Sequence, residues 1–183
     1  MEKIIASFAT EVGAGNIEIY NEISLQHELG IYLRNAFSDK KIQFERNVSF
    51  FGLNKMDFVK REIDISIFES RKSRPEAAIE LKYPKNGQYP EQMFSFCKDV
   101  SFTEQLKRSG FRNTYVIIFA EDHLFYEGSQ NGIYGFFRGG KNLSGFVQKP
   151  TGNRDSEINI KGCYTVRWQP VKGLMKYSVI KAQ

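Results

Sequence analysis

An α/β sandwich, a central mixed β-sheet flanked by helices, is the fold class that the sequence predicts, and three observations predict it. Leu25, Leu29, Leu33 and Phe37 recur at four-residue steps, with Tyr32 and Ala36 beside them, as on one face of an amphipathic helix. Two stretches, "EIDISIF" at 62–68 and "AAIELKY" at 77–83, alternate apolar and polar residues as half-buried strands do. A third, "TYVIIFA" at 114–120, is an uninterrupted apolar run suited to a strand covered on both faces. Helical and strand periods alternate along the chain, the order expected when helices cover a sheet.

Each element follows in order. The opening "MEKIIASFATEVGAGNIEIY" carries an acidic residue at once and only short apolar stretches, unlike a secretory leader. The helix over 21–37 takes Asn21 or Ser24 as its cap. Glu28, three residues after Leu25 and four before Tyr32, falls at the border of its buried stripe. "KIQFERNVSFF" comes next, with turn residues Gly52 and Asn54 after it.

In the following strand Ile63, Ile65 and Ile67 are expected on one face, Asp64 and Ser66 on the other. The polar connection "ESRKSRPE" suits a hairpin. Beyond it Ile79 and Leu81 point one way, Glu80 and Lys82 the other, so antiparallel pairing brings Asp64 or Ser66 opposite Glu80 or Lys82. "PKNGQYP" reads as a turn. A helix follows with Met93, Phe96 or Cys97, and Val100 inward, stopped by Gly110, and then the buried strand.

From Gly128 to Gly152 seven of 25 residues are glycine, so loop and short strand are expected there, with Arg138 and Lys141 among aromatics. "CYTVRWQPV" and "LMKYSVIKA" close the chain as two strands, a hairpin or an edge addition to the same sheet. The expected organisation is one domain over 1–183, with a core at about 20–127 and the glycine-rich loop and last strands at 128–183.

Composition excludes several classes. With 41% hydrophobic and 26% charged residues the chain is not disordered, and no apolar run reaches the roughly 18 residues of a membrane span. Cys97 and Cys163 stand apart without a CxxC or Cys/His cluster, so neither a disulfide framework nor a zinc site is expected, and a reducing cytoplasmic compartment fits best. The net charge of +5 is compatible with a polyanionic partner.

Charges set into apolar strands cost several kcal/mol unless they pair or hold a metal. Asp64 and Glu80 supply two carboxylates on one side of neighbouring strands, with the ammonium of Lys82 beside them. A hard cation such as Mg²⁺ takes oxygen ligands and keeps several waters, so two carboxylates and one backbone carbonyl suffice to anchor it. Such a centre can offset the charge of a phosphate during displacement.

Asp64 with Glu80-Leu81-Lys82 resembles the motif of the PD-(D/E)XK nuclease superfamily, and the order helix, strand meander, helix, strand over about 20–120 resembles its restriction-endonuclease-like core. Ile63 stands where that family's proline would be. The resemblance implies a three-layer sandwich and a Mg²⁺- or Mn²⁺-dependent nuclease, with DNA favoured over RNA as substrate, and products bearing 5′-phosphate. It implies a stand-alone enzyme of a defence, repair, junction-resolving or mobile-element system, in which a homodimer lets two sites address two strands. Asp64, Glu80 and Lys82 become the catalytic residues, and Asp64, Glu80, the Leu81 carbonyl and an acidic residue of the first helix become the metal ligands. Glu28 is the expected helix ligand and Glu22 its competitor. A further family position, a glutamine on the second helix, has Gln105 and Gln92 as candidates.

Lys85, Lys107, Arg108, Arg112, Arg138 and Lys141 are the candidate nucleic-acid contacts, with Lys55, Lys60 and Arg61 as another basic group. Trp168, Tyr83 and Phe136 are able to stack on bases, although packing is the commoner task of such rings. His27 and His123 have no partner at ligand spacing, so histidine chemistry is not expected. A catalytically inactive binding module on the same fold is the alternative.

Overall fold

The computed structural model describes residues 1–69, 75–85, 87–152 and 156–183. Its elements are α1 (Glu2–Ala14), α2 (Glu22–Ala36), β1 (Lys40–Asn47), β2 (Glu62–Glu69), β3 (Pro75–Lys82), α3 (Tyr89–Arg108), β4 (Asn113–Ala120), α4 (Tyr134–Phe137), β5 (Leu143–Gln148), β6 (Glu157–Tyr164), β7 (Gln169–Lys172) and β8 (Met175–Lys181). Most of the connection "ESRKSRPE" and Asn86 of the "PKNGQYP" turn lie outside the described residues.

Six strands form one mixed sheet in the order β1-β2-β3-β4-β8-β7. Only β3 and β4 run parallel, and α3 is the crossover between them. The pleat of β4 divides the core. Tyr115, Ile117 and Phe119 pack with α1 and α2, whereas Val116, Ile118 and Ala120 pack with α3, which makes the run 114–120 a strand covered on both faces. Helices on both sides of the sheet are compatible with a three-layer sandwich.

Local chemistry explains the helix that borders the site. Asn21 and Ser24 act together as the cap of α2: the Ser24 N–H donates to Asn21 Oδ1 at 2.7 Å and the Asn21 N–H donates to Ser24 Oγ at 3.0 Å. Leu25, Leu29 and Leu33 are fully buried as their spacing predicts. Gly30 is required for packing, because a Cβ there would lie 2.2 Å from the Phe44 ring.

The structure adds and corrects elements. A helix not expected from the sequence, α1, buries Ile5, Phe8, Ala9 and Val12 at helical spacing beside α2. Ile65 and Ile67 join the α1/α2 core, but Ile63 packs with Val48, Phe102 and Leu106 on the α3 side. The partners of Ile63 and Ile65 on β1 flank Glu45, whose φ of 51° breaks the regular pleat beside Asp64. "CYTVRWQPV" is not one strand, since β6 ends at Tyr164 and β7 begins at Gln169. β8 pairs antiparallel with β4, and β7 with β8, so the last hairpin extends the main sheet.

β5 and β6 form a separate two-stranded sheet on the outer side of α3. Glu104 of α3, 1% exposed, fastens it by accepting from the Lys161 N–H at 3.0 Å, the Gly162 N–H at 2.6 Å and the Tyr164 hydroxyl at 2.9 Å. Covered from two sides, α3 buries polar residues along with its apolar stripe.

Candidate active site

β2 and β3 bring the sequence motif together. Their antiparallel register sets Ile65 against Ile79 and so places Asp64 beside Glu80. The Leu81 N–H donates to Asp64 Oδ2 at 2.7 Å, and the Asp64 N–H donates to Glu80 Oε1 at 3.3 Å. Each carboxylate is thus held by the backbone of the other's strand. Lys82, two residues from Glu80 on the same face, donates from Nζ to the Leu81 carbonyl at 2.9 Å and to Glu22 Oε1 at 3.3 Å.

Two further residues complete the cluster. Asp99, 2% exposed on α3, places Oδ2 at 3.3 Å from Lys82 Nζ. Its Oδ1 accepts from Lys60 Nζ at 2.8 Å. Lys60, just before β2, also donates to Glu80 Oε2, so its ammonium sits between two buried carboxylates. Asp99 Oδ2 is fully buried and has no hydrogen-bond partner of good geometry.

Among the described residues the cluster sets four carboxylates, Asp64, Glu80, Asp99 and Glu22, against two ammoniums, Lys60 and Lys82. Burial pushes Asp64 up to about 6, against the pull of Lys60 and of the Leu81 N–H. Glu80 is raised well above the usual carboxylate range by burial and by the charge of Asp64. Burial opposes the charge on both lysines, but Glu80, Asp99 and Asp64 around Lys60, and Asp99 and Glu22 around Lys82, outweigh it and raise both. Both lysines are therefore ammonium ions at neutral pH.

Among the described residues no three His, Cys, Asp or Glu side chains form a ready metal cage. A hard divalent ion needs fewer. Asp64 and Glu80, the Leu81 carbonyl and solvent water are an all-oxygen set of the right chemistry, and beside them Asp99 Oδ2 is buried without a hydrogen bond, with Lys82 Nζ at 3.3 Å. The residues present fit a Mg²⁺ or Mn²⁺ ion, provided that Lys60 releases Glu80.

Of the two acidic candidates on α2, Glu22 is the one at the cluster. Its Oε2 also accepts from the Tyr83 N–H at 3.2 Å, and Gln26, one turn on, donates to the Asp64 carbonyl at 2.9 Å. Glu28 falls outside this stripe, with its carboxylate 3.7 Å from His27 Nδ1. The border position of Glu28 is real, but 22 and 26 share the helix face that meets β2 and β3. Asp99 is absent from the sequence reading, although one signal for it was present: it lies three residues after Phe96 and beside Val100, within the buried stripe of its helix.

The basic candidates scatter. Lys107 donates to the Arg112 carbonyl at 2.6 Å, Arg108 lies 3.8 Å from Glu104, and Arg112 pairs with Glu76 at 3.4 Å. Glu76 precedes Glu80 by four strand residues, so this group sits about 13 Å along β3 from the cluster. Arg138 is a structural residue, donating to the carbonyls of Leu124 and Ser129 and stacking on Tyr134. Lys85 donates to Glu121 at 2.7 Å beside Tyr83. Lys141 lies over the Phe136 ring and, with Lys149 and the exposed Phe146, lines a cavity of about 550 Å³.

The remaining candidates have packing roles. Trp168 donates to the Phe137 carbonyl at 2.8 Å, Tyr83 is buried with its hydroxyl on Glu121, and Phe136 is 8% exposed. Gln105 accepts from the Val59 N–H at 2.9 Å and anchors the segment before Lys60. His123 pairs with its neighbour Asp122. No helix of the described residues is long and apolar enough to cross a membrane.

Compared with protein-family models, with curated proteins and with solved structures, the chain matches none. The site's own chemistry therefore carries the functional reading.

Proposed function

We propose that the chain is a divalent-metal-dependent nuclease of restriction-endonuclease-like fold that hydrolyses phosphodiester bonds, with DNA as the favoured substrate. The observation that carries this reading is the convergence of Asp64, Glu80 and Lys82, on adjacent strands, with the Leu81 backbone hydrogen-bonded to both Asp64 and Lys82. Asp64, Glu80 and the Leu81 carbonyl would hold Mg²⁺ or Mn²⁺. When bound, the ion supplies positive charge against the phosphate and makes a water molecule more acidic.

The chain's own groups do the rest. Lys82 stays protonated between Asp99 and Glu22, so it acts as a hydrogen-bond donor and charge stabiliser for the pentavalent phosphate and not as a base. Glu22 and Asp99 keep its ammonium beside the Leu81 carbonyl. Gln26 holds the Asp64 backbone against α2, which fixes the spacing of the two carboxylates.

A time course on supercoiled, linear and branched DNA tests the reading. Wild type is expected to nick DNA with Mg²⁺ or Mn²⁺ and not with chelator, and Glu80→Ala and Lys82→Ala to lose roughly a thousandfold in rate. Cleavage that survives both substitutions rejects the site. A second reading, an inactive binding module, is favoured by Lys60 already neutralising Glu80 and Asp99. That reading predicts DNA binding in chelator and no cleavage with any metal.

A further inference from the structure

Among the described residues Lys60 is the one ammonium that touches both fully buried acids of the site, Glu80 and Asp99, and it belongs to neither of the motif strands. Its backbone is fixed on both sides. The Val59 N–H donates to Gln105 at 2.9 Å, and the Arg61 carbonyl accepts from the Val48 N–H at 2.8 Å. Its side chain is 24% exposed, so part of it already borders solvent. Lys82, by contrast, is 12% exposed and tied to a backbone carbonyl.

We propose that Lys60 is a built-in counter-cation: its ammonium holds the position between Glu80 and Asp99 in the metal-free protein and swings out toward solvent when a divalent ion binds. This rests on the reading that Asp64 and Glu80 hold the ion. Three buried carboxylates without compensation would repel one another, so a cation is needed there at all times. A divalent ion carries twice the charge of an ammonium and wins Glu80 once its concentration suffices, while Lys82, already 3.3 Å from Asp99, remains to compensate that residue. Lys60 thereby lowers metal affinity.

The test is Mn²⁺ binding by titration calorimetry, read without activity, on wild type, Lys60→Gln and Glu80→Gln. Lys60→Gln is expected to bind Mn²⁺ about tenfold more tightly than wild type, and Glu80→Gln to lose binding. A wild type that binds Mn²⁺ with a Lys60→Gln variant that binds it equally or more weakly overturns the counter-cation and leaves the metal site standing. No binding by either protein overturns both. Should Lys60→Gln fail to fold, reductive methylation of wild type decides: saturating Mn²⁺ should speed modification of Lys60 several-fold, and an unchanged rate rejects the proposal.

Discussion

Asp99 and Glu104 lie five residues apart on α3, both are buried acids, and they are satisfied in opposite ways. Glu104 accepts from two backbone N–H groups and a tyrosine hydroxyl, neutral donors fixed by the fold, with the exposed Arg108 guanidinium farther off at 3.8 Å. Asp99 faces two lysine ammoniums and keeps one oxygen without a hydrogen bond. Fixed dipoles around a carboxylate make a fastener. Movable charges around an incompletely satisfied one leave an electrostatic need that a ligand can meet, which separates the site end of α3 from its structural end.

Four substitutions break or sharpen that contrast. The largest effect is expected at the fastener: Glu104→Ala leaves the Lys161 and Gly162 N–H groups and the Tyr164 hydroxyl without their acceptor and should cost about 3–5 kcal/mol in urea unfolding. Asp99→Asn, which relieves part of the acidic excess, should stay within about 1 kcal/mol of wild type. Equal losses at the two positions would erase the distinction.

Asp64→Asn sharpens the site side. A carboxyl whose folded pKa of about 6 stands above its ordinary 3.8 binds its proton more tightly when folded. Its contribution is complete below about pH 4 and is lost as pH rises through 6. In chelator at pH 7.5 Asp64→Asn should therefore be more stable than wild type, by at most about 3 kcal/mol, with the gain vanishing as pH falls from 6 to 4. Thermal melts across that range check it, and a gain that grows toward acid pH contradicts the raised Asp64 carboxyl. The smallest effect belongs to Arg112→Ala, at the far end of β3: a stability change under about 0.5 kcal/mol and DNA affinity altered less than twofold. A larger loss of affinity would move the DNA path toward the Glu76 end.

Much of the architecture was legible because it rests on local periods. The Leu25, Leu29, Leu33 spacing, the alternation around Asp64 and Glu80, and the apolar run of β4 each report which face is buried. The same signal was present in α1, at Ile5, Phe8, Ala9 and Val12, but in a stretch weighed only as a leader. Ile63 escaped because alternation alone puts it with Ile65 and Ile67, whereas it packs with Val48, Phe102 and Leu106.

What the sequence determined by itself is the α/β class and the placing of Asp64 or Ser66 opposite Glu80 or Lys82, since strand alternation and a short connection leave those side chains few places to go. Only the tertiary structure decided that Glu22 and not Glu28 meets Lys82, that Asp99 and Lys60 join the cluster, and that Arg138 serves the fold. The physical reason is range. Periodicity fixes a residue's direction relative to its own helix or strand, whereas the meeting of α2, α3 and the segment before β2 over one pair of strands depends on packing between elements far apart in the chain.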